Sequence, residues 1–402
     1  MLNSRPLDAT TSELRVGIDV GGHVHAVAVG LSSGELLEDF EISHSAAGFR
    51  DFFARIEAHA GRHGLPVAVA MEGYNGHARP LDGLIQARRW RLFNINNLKL
   101  ARFKEIFPGP AKSDLLDSRK ALELFQLSDH LPMARDVLQE IPARPRENDL
   151  LKRLTRRRRQ LVDERVRLLC ILDSDLRAVA PGLVEITGDI ANLWFLRFLT
   201  CRDDLQQLAS MRRAGLLAVP GIGVKYAEAV RAWQKRALFS AELAVVGPMI
   251  REDATRVLEL SQGIKALEGE IGQVRSAMAR CLRSIHGFGL VCAAELAGEI
   301  GTIERFRGEA SLALYLGMAT LDNSSGRKKG SKPPRQVNRR AKAAMMTAVD
   351  RHRKGVPQSQ RYYEKKRAMG KTHNQAIRAL GRHLCRVIFK MITTDQPYRI
   401  MP

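Results

Sequence analysis

Between residues 14 and 43 the apolar positions alternate or run together over strand-sized lengths, LRVGIDV, VHAVAVGL and ELLEDFEIS, separated by the turn signals GGH and SSG. These segments predict three consecutive strands in an antiparallel meander. The period then changes to that of a helix. An amphipathic pattern from about Ala46 to His63 precedes an apolar strand VAVAME, a helix from about His77 to Arg89, and a short strand RLFNI. A further helix starts after Pro110, with Ser113 as its N-cap and Asp114 in the first turn, where the helix dipole favours a carboxylate.

From Arg146 onward strand signals stop. Residues 147 to 180 carry a long polar–apolar helical pattern that contains RRRR at 156 to 159 and reads as a linker or coiled-coil arm. A second long pattern, from about Asp253 to Arg283, places Val257, Leu260, Ile264, Leu267, Ile271 and Val274 at three- and four-residue steps. That is a heptad seam, fit to pair within the chain or between subunits. Val219-Pro-Gly-Ile-Gly before YAEAV, and Ile285-His-Gly-Phe-Gly before CAAEL, both read as helix-hairpin-helix turns. In such turns glycine lets the backbone approach DNA, and the N–H groups opening the second helix can hold a phosphate.

Three strands, helix, strand, helix, strand is the order of the ribonuclease H fold. The expected organisation is therefore an α/β, ribonuclease H-like (RuvC-like) domain over 1–145, a helical arm over 146–215, and a mostly α-helical domain over 216–402 with the hairpin turns and the coiled coil. At 402 residues and 45% hydrophobic, the chain can bury sizeable cores. It has no apolar run of eighteen residues and no signal-peptide pattern, so a cytoplasmic location is expected. Cys170, Cys201, Cys281, Cys292 and Cys385 are scattered, without a CxxC pair, and suggest neither a disulfide framework nor a zinc site.

Charge changes the picture most. The net charge is +21, and between Arg327 and Lys371 sixteen Lys or Arg face only two acids, Asp350 and Glu364. This concentration points to a polyanion, DNA or RNA, as partner. No Trp- or Phe-faced basic helix accompanies it, which argues against a membrane surface.

Against that basic background a few acids stand out. Asp19 lies inside the apolar strand GIDVGG, where an unpaired carboxylate is costly, and Glu72 ends the fourth strand in AMEGYNG. In a ribonuclease H sheet these strands are neighbours. Asp114 and Asp117, in KSDLLDSRKALEL, share a helix face. Four carboxylates at one sheet end suit a pair of Mg2+ ions, whose hard oxygen ligands allow both attacking and leaving oxygens of a phosphoryl transfer to be stabilised. Lys112 and Lys120 flank the helix as candidates for holding the nucleic-acid backbone. GIDVGG also fits the phosphate loop of actin-like ATPases and sugar kinases, but the second glycine-rich phosphate motif and the adenosine motif those enzymes need are not found.

Taken with these residues, the chain resembles the DEDD transposases of the insertion-sequence one-ten family, with its eleven-eleven subgroup included, over nearly its whole length. The resemblance covers Asp19, Glu72 and the KSDLLDS motif, the arginine-rich helix, and the stretch IHGFGLVCAAELAGEIGTIERFRGEASLALYLGMATLDNSSGRKKG. It implies a nucleophilic serine at Ser325, with Ser324 the alternative, that joins covalently to DNA, and a metal-binding site at Asp19, Glu72, Asp114 and Asp117. It also implies a structured guide RNA and a dimer that doubles to a tetramer. By itself SSG is ordinary turn chemistry, and only the resemblance singles out Ser325. The chain departs from the family pattern at Arg327, where a second glycine is usual, and at Val337, which replaces a glycine before Asn338. Arg156, Arg157, Arg327, Lys328, Lys329, Arg335, Arg339 and Arg340 are the candidate phosphate contacts. Two other classes use the same features: a RuvC-type structure-specific nuclease without a serine intermediate, and a non-catalytic nucleic-acid scaffold.

Overall fold

The computed structural model describes residues 12–72, 76–106, 113–130, 137–142, 144–323, 330–332, 334 and 337–399. The chain divides into two compact units, Met1–Ala143 and Arg144–Pro402.

The first unit is built on β1 (Leu14–Val20), β2 (Val24–Leu31), β3 (Leu36–Ser43), α1 (Ala46–His63), β4 (Val67–Met71), α2 (Arg79–Ala87), β5 (Arg91–Ile95), α3 (Asn97–Lys104), α4 (Asp114–Leu127) and β6 (Leu138–Glu140). The sheet order is β3-β2-β1-β4-β5-β6. β1 runs antiparallel to β2 and parallel to β4, so the first and fourth strands are the expected neighbours. Two elements go beyond the sequence expectation. β6 is three residues long, too short for a period to show, and α3 is an eight-residue helix started by Asn96, whose Oδ1 accepts from the Lys99 N–H at 3.2 Å. The α2 helix is shorter than the expected 77–89, because Pro80 sets its start and its last carbonyls are closed off at Arg88.

Strand alternation sorts the residues of this unit into two layers. Leu14, Val16, Ile18, Val67, Val69 and Met71 pack with Phe49, Phe52, Phe53 and Ile56 of α1 and Leu81 and Ile85 of α2. On the other face Ala68 and Ala70 meet Leu100 of α3 and Ala121, Leu124 and Phe125 of α4. Small alanines on that face of β4 leave room for the helices.

The second unit contains α5 (Arg146–Val179), α6 (Leu193–Thr200), α7 (Arg213–Leu217), α8 (Val224–Gln234), α9 (Leu243–Gln273), α10 (Ala277–Arg283), α11 (Leu290–Ile300), α12 (Glu309–Tyr315), β7 (Leu321–Asp322), β8 (Ser331–Lys332), α13 (Arg339–Gly355), α14 (Pro357–Ala368) and α15 (His373–Thr394). The heptad seam packs within the chain: Val257, Leu260 and Ile264 of α9 share a core with Leu161, Leu168, Leu172 and Leu176 of α5. The pattern read as one helix from Asp253 to Arg283 is two. α9 begins at Leu243 and stops at Val274, whose ψ of 119° is extended, and Ser276 then caps α10 by accepting from the Ala279 N–H at 3.0 Å. At the two turns read as helix-hairpin-helix, Gly221 (φ 95°) lies between α7 and α8 and Gly287 (φ 86°) between α10 and α11. A Cβ at Gly287 would lie 2.4 Å from the His352 backbone nitrogen, so this second turn is packed against α13. Among the described residues no helix is long and apolar enough to cross a membrane.

Candidate active site

One face of β1 sets the position of α4. Arg15, Gly17 and Asp19 alternate with the core residues Val16 and Ile18 and so share the α4 side of the strand. Arg15 lies almost fully buried and donates from Nη1 to the carbonyls of Phe125 (2.7 Å) and Gln126 (3.2 Å), capping the C-terminal end of the helix. Gly17 has no side chain to hold α4 away. A Cβ there would stand 2.6 Å from the Leu122 nitrogen and 2.8 Å from the Ser118 carbonyl oxygen. Asp19 is next on this face, toward the N-terminal turn of α4. An isolated glycine inside a strand signals such a close approach, and the sequence carried that signal unread.

Glu72 follows β4, and its N–H donates to the Ile18 carbonyl at 3.4 Å, which carries it level with Asp19 on the neighbouring strand. Asp117 sits one turn into α4 with its side chain only 12% exposed. The three carboxylates are electrically coupled. Burial pushes the Glu72 carboxyl above its usual range, Lys104 pulls it back, and the negative charges of Asp19 and Asp117 push it further up. Like charges brought together in this way disfavour one another's ionised forms. Asp114 lies in the first turn of α4, exposed, where it meets the helix dipole.

Lys104, the last residue of α3, is the group the sequence reading missed. Its Nζ lies 3.0 Å from Oδ2 of Asp117, while Lys120 Nζ lies 3.8 Å from Oδ1. Lys120, expected to flank the helix, instead lies within α4. Among the described residues no three acidic, histidine or cysteine side chains meet closely enough to chelate a metal ion as they stand. The donors are nonetheless carboxylate oxygens, the hard ligands that Mg2+ prefers, and their mutual repulsion is what a divalent cation would relieve.

Of the two arginines of the run expected to contact phosphate, Arg156 and Arg157, the first is engaged within the protein, as are Arg158 and Arg159. Arg156 donates to both oxygens of Glu299, Arg158 to Glu268 at 2.8 Å, and Arg159 stands 3.8 Å from Glu295. Glu295 and Glu299 are 4% and 1% exposed on the otherwise apolar α11 and need those partners. Arg157 is the exposed member of the run. At the start of α13, Arg339 is exposed and Arg340 half-buried, and Asn338 caps the helix by accepting from the N–H groups of Arg340 and Ala341. The Asn338 amide also donates to Glu299 Oε2 and to the Tyr315 hydroxyl, each at 2.7 Å. Ser324, Ser325, Arg327, Lys328, Lys329, Arg335 and Lys112 lie outside the described residues. In sequence the two serines fall between β7 and β8, which pair antiparallel.

Residues 16–181 match the DEDD transposase family of the IS110 type, and residues 279–364 match the family described as transposase IS116/IS110/IS902. Over 400 residues the chain is 27% identical to the insertion element IS116 uncharacterized 44.8 kDa protein of Streptomyces clavuligerus, covering 96% of each chain. It is 28% identical over 399 residues to the insertion element IS900 uncharacterized 42 kDa protein of Mycobacterium paratuberculosis, covering 95% of this chain and 96% of the relative. The insertion element IS110 uncharacterized 43.6 kDa protein of Streptomyces coelicolor is 26% identical over 396 residues, covering 94% and 93%.

Proposed function

Because the chain belongs to the IS110/IS116 family of transposases, enzymes that cut and rejoin DNA, we propose that it moves its insertion element by strand exchange at the Asp19–Glu72–Asp117 cluster. The observation that supports this reading is the placement of Glu72 level with Asp19, its N–H on the Ile18 carbonyl at 3.4 Å, beside the close seat of α4 on Gly17. Asp114, one turn earlier on α4, completes the set of four by resemblance. Enzymes of the DEDD type use a divalent metal ion. When bound, Mg2+ would stabilise negative charge on the phosphate oxygens. The four acids would hold it, and the tight seat of α4 on Gly17 would keep Asp117 in register with Asp19.

Ser325 is the proposed nucleophile. Its Oγ forms a bond to a DNA phosphorus as the bridging P–O bond to the neighbouring deoxyribose breaks, and the serine proton leaves with that oxygen as a hydroxyl. Rejoining reverses the step, with a hydroxyl from another strand displacing the serine. Arg157, Arg339, Arg340, Arg327, Lys328, Lys329, Arg335 and Lys112 are the proposed phosphate contacts. A structured RNA is the proposed guide, a dimer or tetramer the proposed working form, and the cytoplasm its proposed location.

The experiment is an excision assay on element-end DNA with the full chain, Asp19→Asn, Glu72→Gln, Asp114→Asn and Asp117→Asn. Each substitution is expected to lower strand cleavage by about a hundredfold or more, the scale of lost transition-state charge stabilisation, while DNA binding stays within about twofold. Wild-type rates in Asp19→Asn and Asp117→Asn would refute the site.

A further inference from the structure

Lys104 occupies a place that a simple surface ion pair does not explain. Its Nζ is 3.0 Å from Oδ2 of Asp117, and the two side chains are 22% and 12% exposed, so the pair is largely shielded from water. Lys120, three residues along the same helix as Asp117, reaches only to 3.8 Å of the other oxygen. Lys104 comes from a different helix, α3, and is also the positive charge acting most strongly on Glu72. One ammonium therefore pairs with a carboxylate of α4 and bears by its charge on the carboxylate that follows β4.

We propose that the Lys104 ammonium is the resident counter-cation of the Asp19–Glu72–Asp117 cluster and that a divalent metal ion binds there by displacing it. This rests on the reading of those acids as metal ligands. A hard divalent cation takes a carboxylate oxygen at about 2.0–2.1 Å. If it shared Oδ2 of Asp117 with the ammonium, three positive charges would crowd within a few ångströms of one oxygen in a partly dry site, where repulsion is poorly screened. Lys104 is the one that gives way. It ends its helix, and its four-carbon stem can swing the charge out without moving the backbone. Without metal, the lysine keeps three like charges from splaying apart. The site is held assembled, and metal binding carries the cost of removing a partner already in place.

The test is Mn2+ binding to the full chain without nucleic acid, followed by electron paramagnetic resonance, for wild type, Lys104→Gln, Lys104→Arg, Lys120→Gln, Asp19→Asn and Asp117→Asn. Lys104→Gln is expected to bind Mn2+ about tenfold more tightly or better, the lower end of the one to three powers of ten by which a charge at this range moves a carboxylate's proton affinity. Lys104→Arg should stay at or below wild type, and Lys120→Gln should change less than Lys104→Gln. Melting gives a second readout: metal-free Lys104→Gln should melt below wild type and gain more from added Mn2+. Unchanged or weaker binding in Lys104→Gln, with binding lost in Asp117→Asn, would overturn the displacement while leaving the metal site standing. Wild-type Mn2+ binding in both Asp19→Asn and Asp117→Asn would remove the metal site itself, and the inference with it.

Discussion

The guanidinium of Arg156 closes on the carboxylate of Glu299 through two hydrogen bonds, 2.7 Å from Nε and 3.0 Å from Nη2, and Glu299 is 1% exposed. Burial would raise the Glu299 carboxyl, but the hydrogen bonds from Arg156 and Asn338 outweigh it and hold the group below its usual range. Arg156 thus ties the arm helix α5 to α11, and the neighbouring Arg157 is left facing solvent.

Separate outcomes are expected for these two adjacent arginines. Arg156→Ala leaves the buried Glu299 carboxylate with Asn338 as its remaining side-chain hydrogen-bond donor and should lower unfolding stability by about 2 kcal/mol, the scale of a hydrogen bond lost to a buried charged group. Arg157→Ala should leave stability within about 0.5 kcal/mol and instead weaken nucleic-acid binding, with a shallower dependence on salt. Urea denaturation and a salt titration of binding check the pair.

Gly17 makes the register of Asp117 against Asp19 sensitive to a single methyl group. With Leu122 nitrogen and Ser118 oxygen at 2.6 and 2.8 Å from the position of a Cβ, Gly17→Ala must push α4 off the sheet. A stability loss of about 2 kcal/mol or more is expected from this overpacking. Strand cleavage measured at a temperature where the variant is still folded should fall at least tenfold, because Asp117 moves with α4 while Asp19 does not. A variant that melts early yet cleaves at the wild-type rate would show that the register tolerates the shift.

His25 makes the first unit acid-sensitive. It is fully buried on β2, with Nε2 2.9 Å from Nδ1 of His44. Burial first, then the charges of His44 and His77, lower its pKa from 6.5 to about 4. The unfolded chain therefore binds a proton that the folded chain refuses between those values. The stability that His25 contributes is complete above pH 6.5 and is lost progressively as pH falls toward 4, by on the order of 2 kcal/mol. Melting curves at pH 7 and pH 5 should differ more for wild type than for His25→Gln.

The sheet was legible because its signals are local: alternation gave β1 to β3, and GGH and SSG gave the turns. Asp19 stood out in the sequence because an acid inside an apolar strand is out of place, and Glu72 only in combination with it, since a strand end is an ordinary place for a solvated acid. Lys104 was not, since it ends a short helix whose pattern is weak and its partner is thirteen residues away on α4. A run of arginines also looks the same in sequence whether it faces solvent or two buried glutamates. The signal that separates those cases was in LVCAAELAGEI, where Glu295 and Glu299 interrupt an apolar helix and require cations. The heptad pattern showed that α9 had a partner, and only the packing identified it as α5.

The most direct measurement is to incubate wild type and Ser325→Ala with Mg2+, element-end DNA and the flanking RNA, then denature the protein and look for DNA that remains covalently attached. The account predicts an adduct in wild type that vanishes in Ser325→Ala. Cleavage without any adduct, unaffected by the substitution, would contradict it and leave a RuvC-type nuclease.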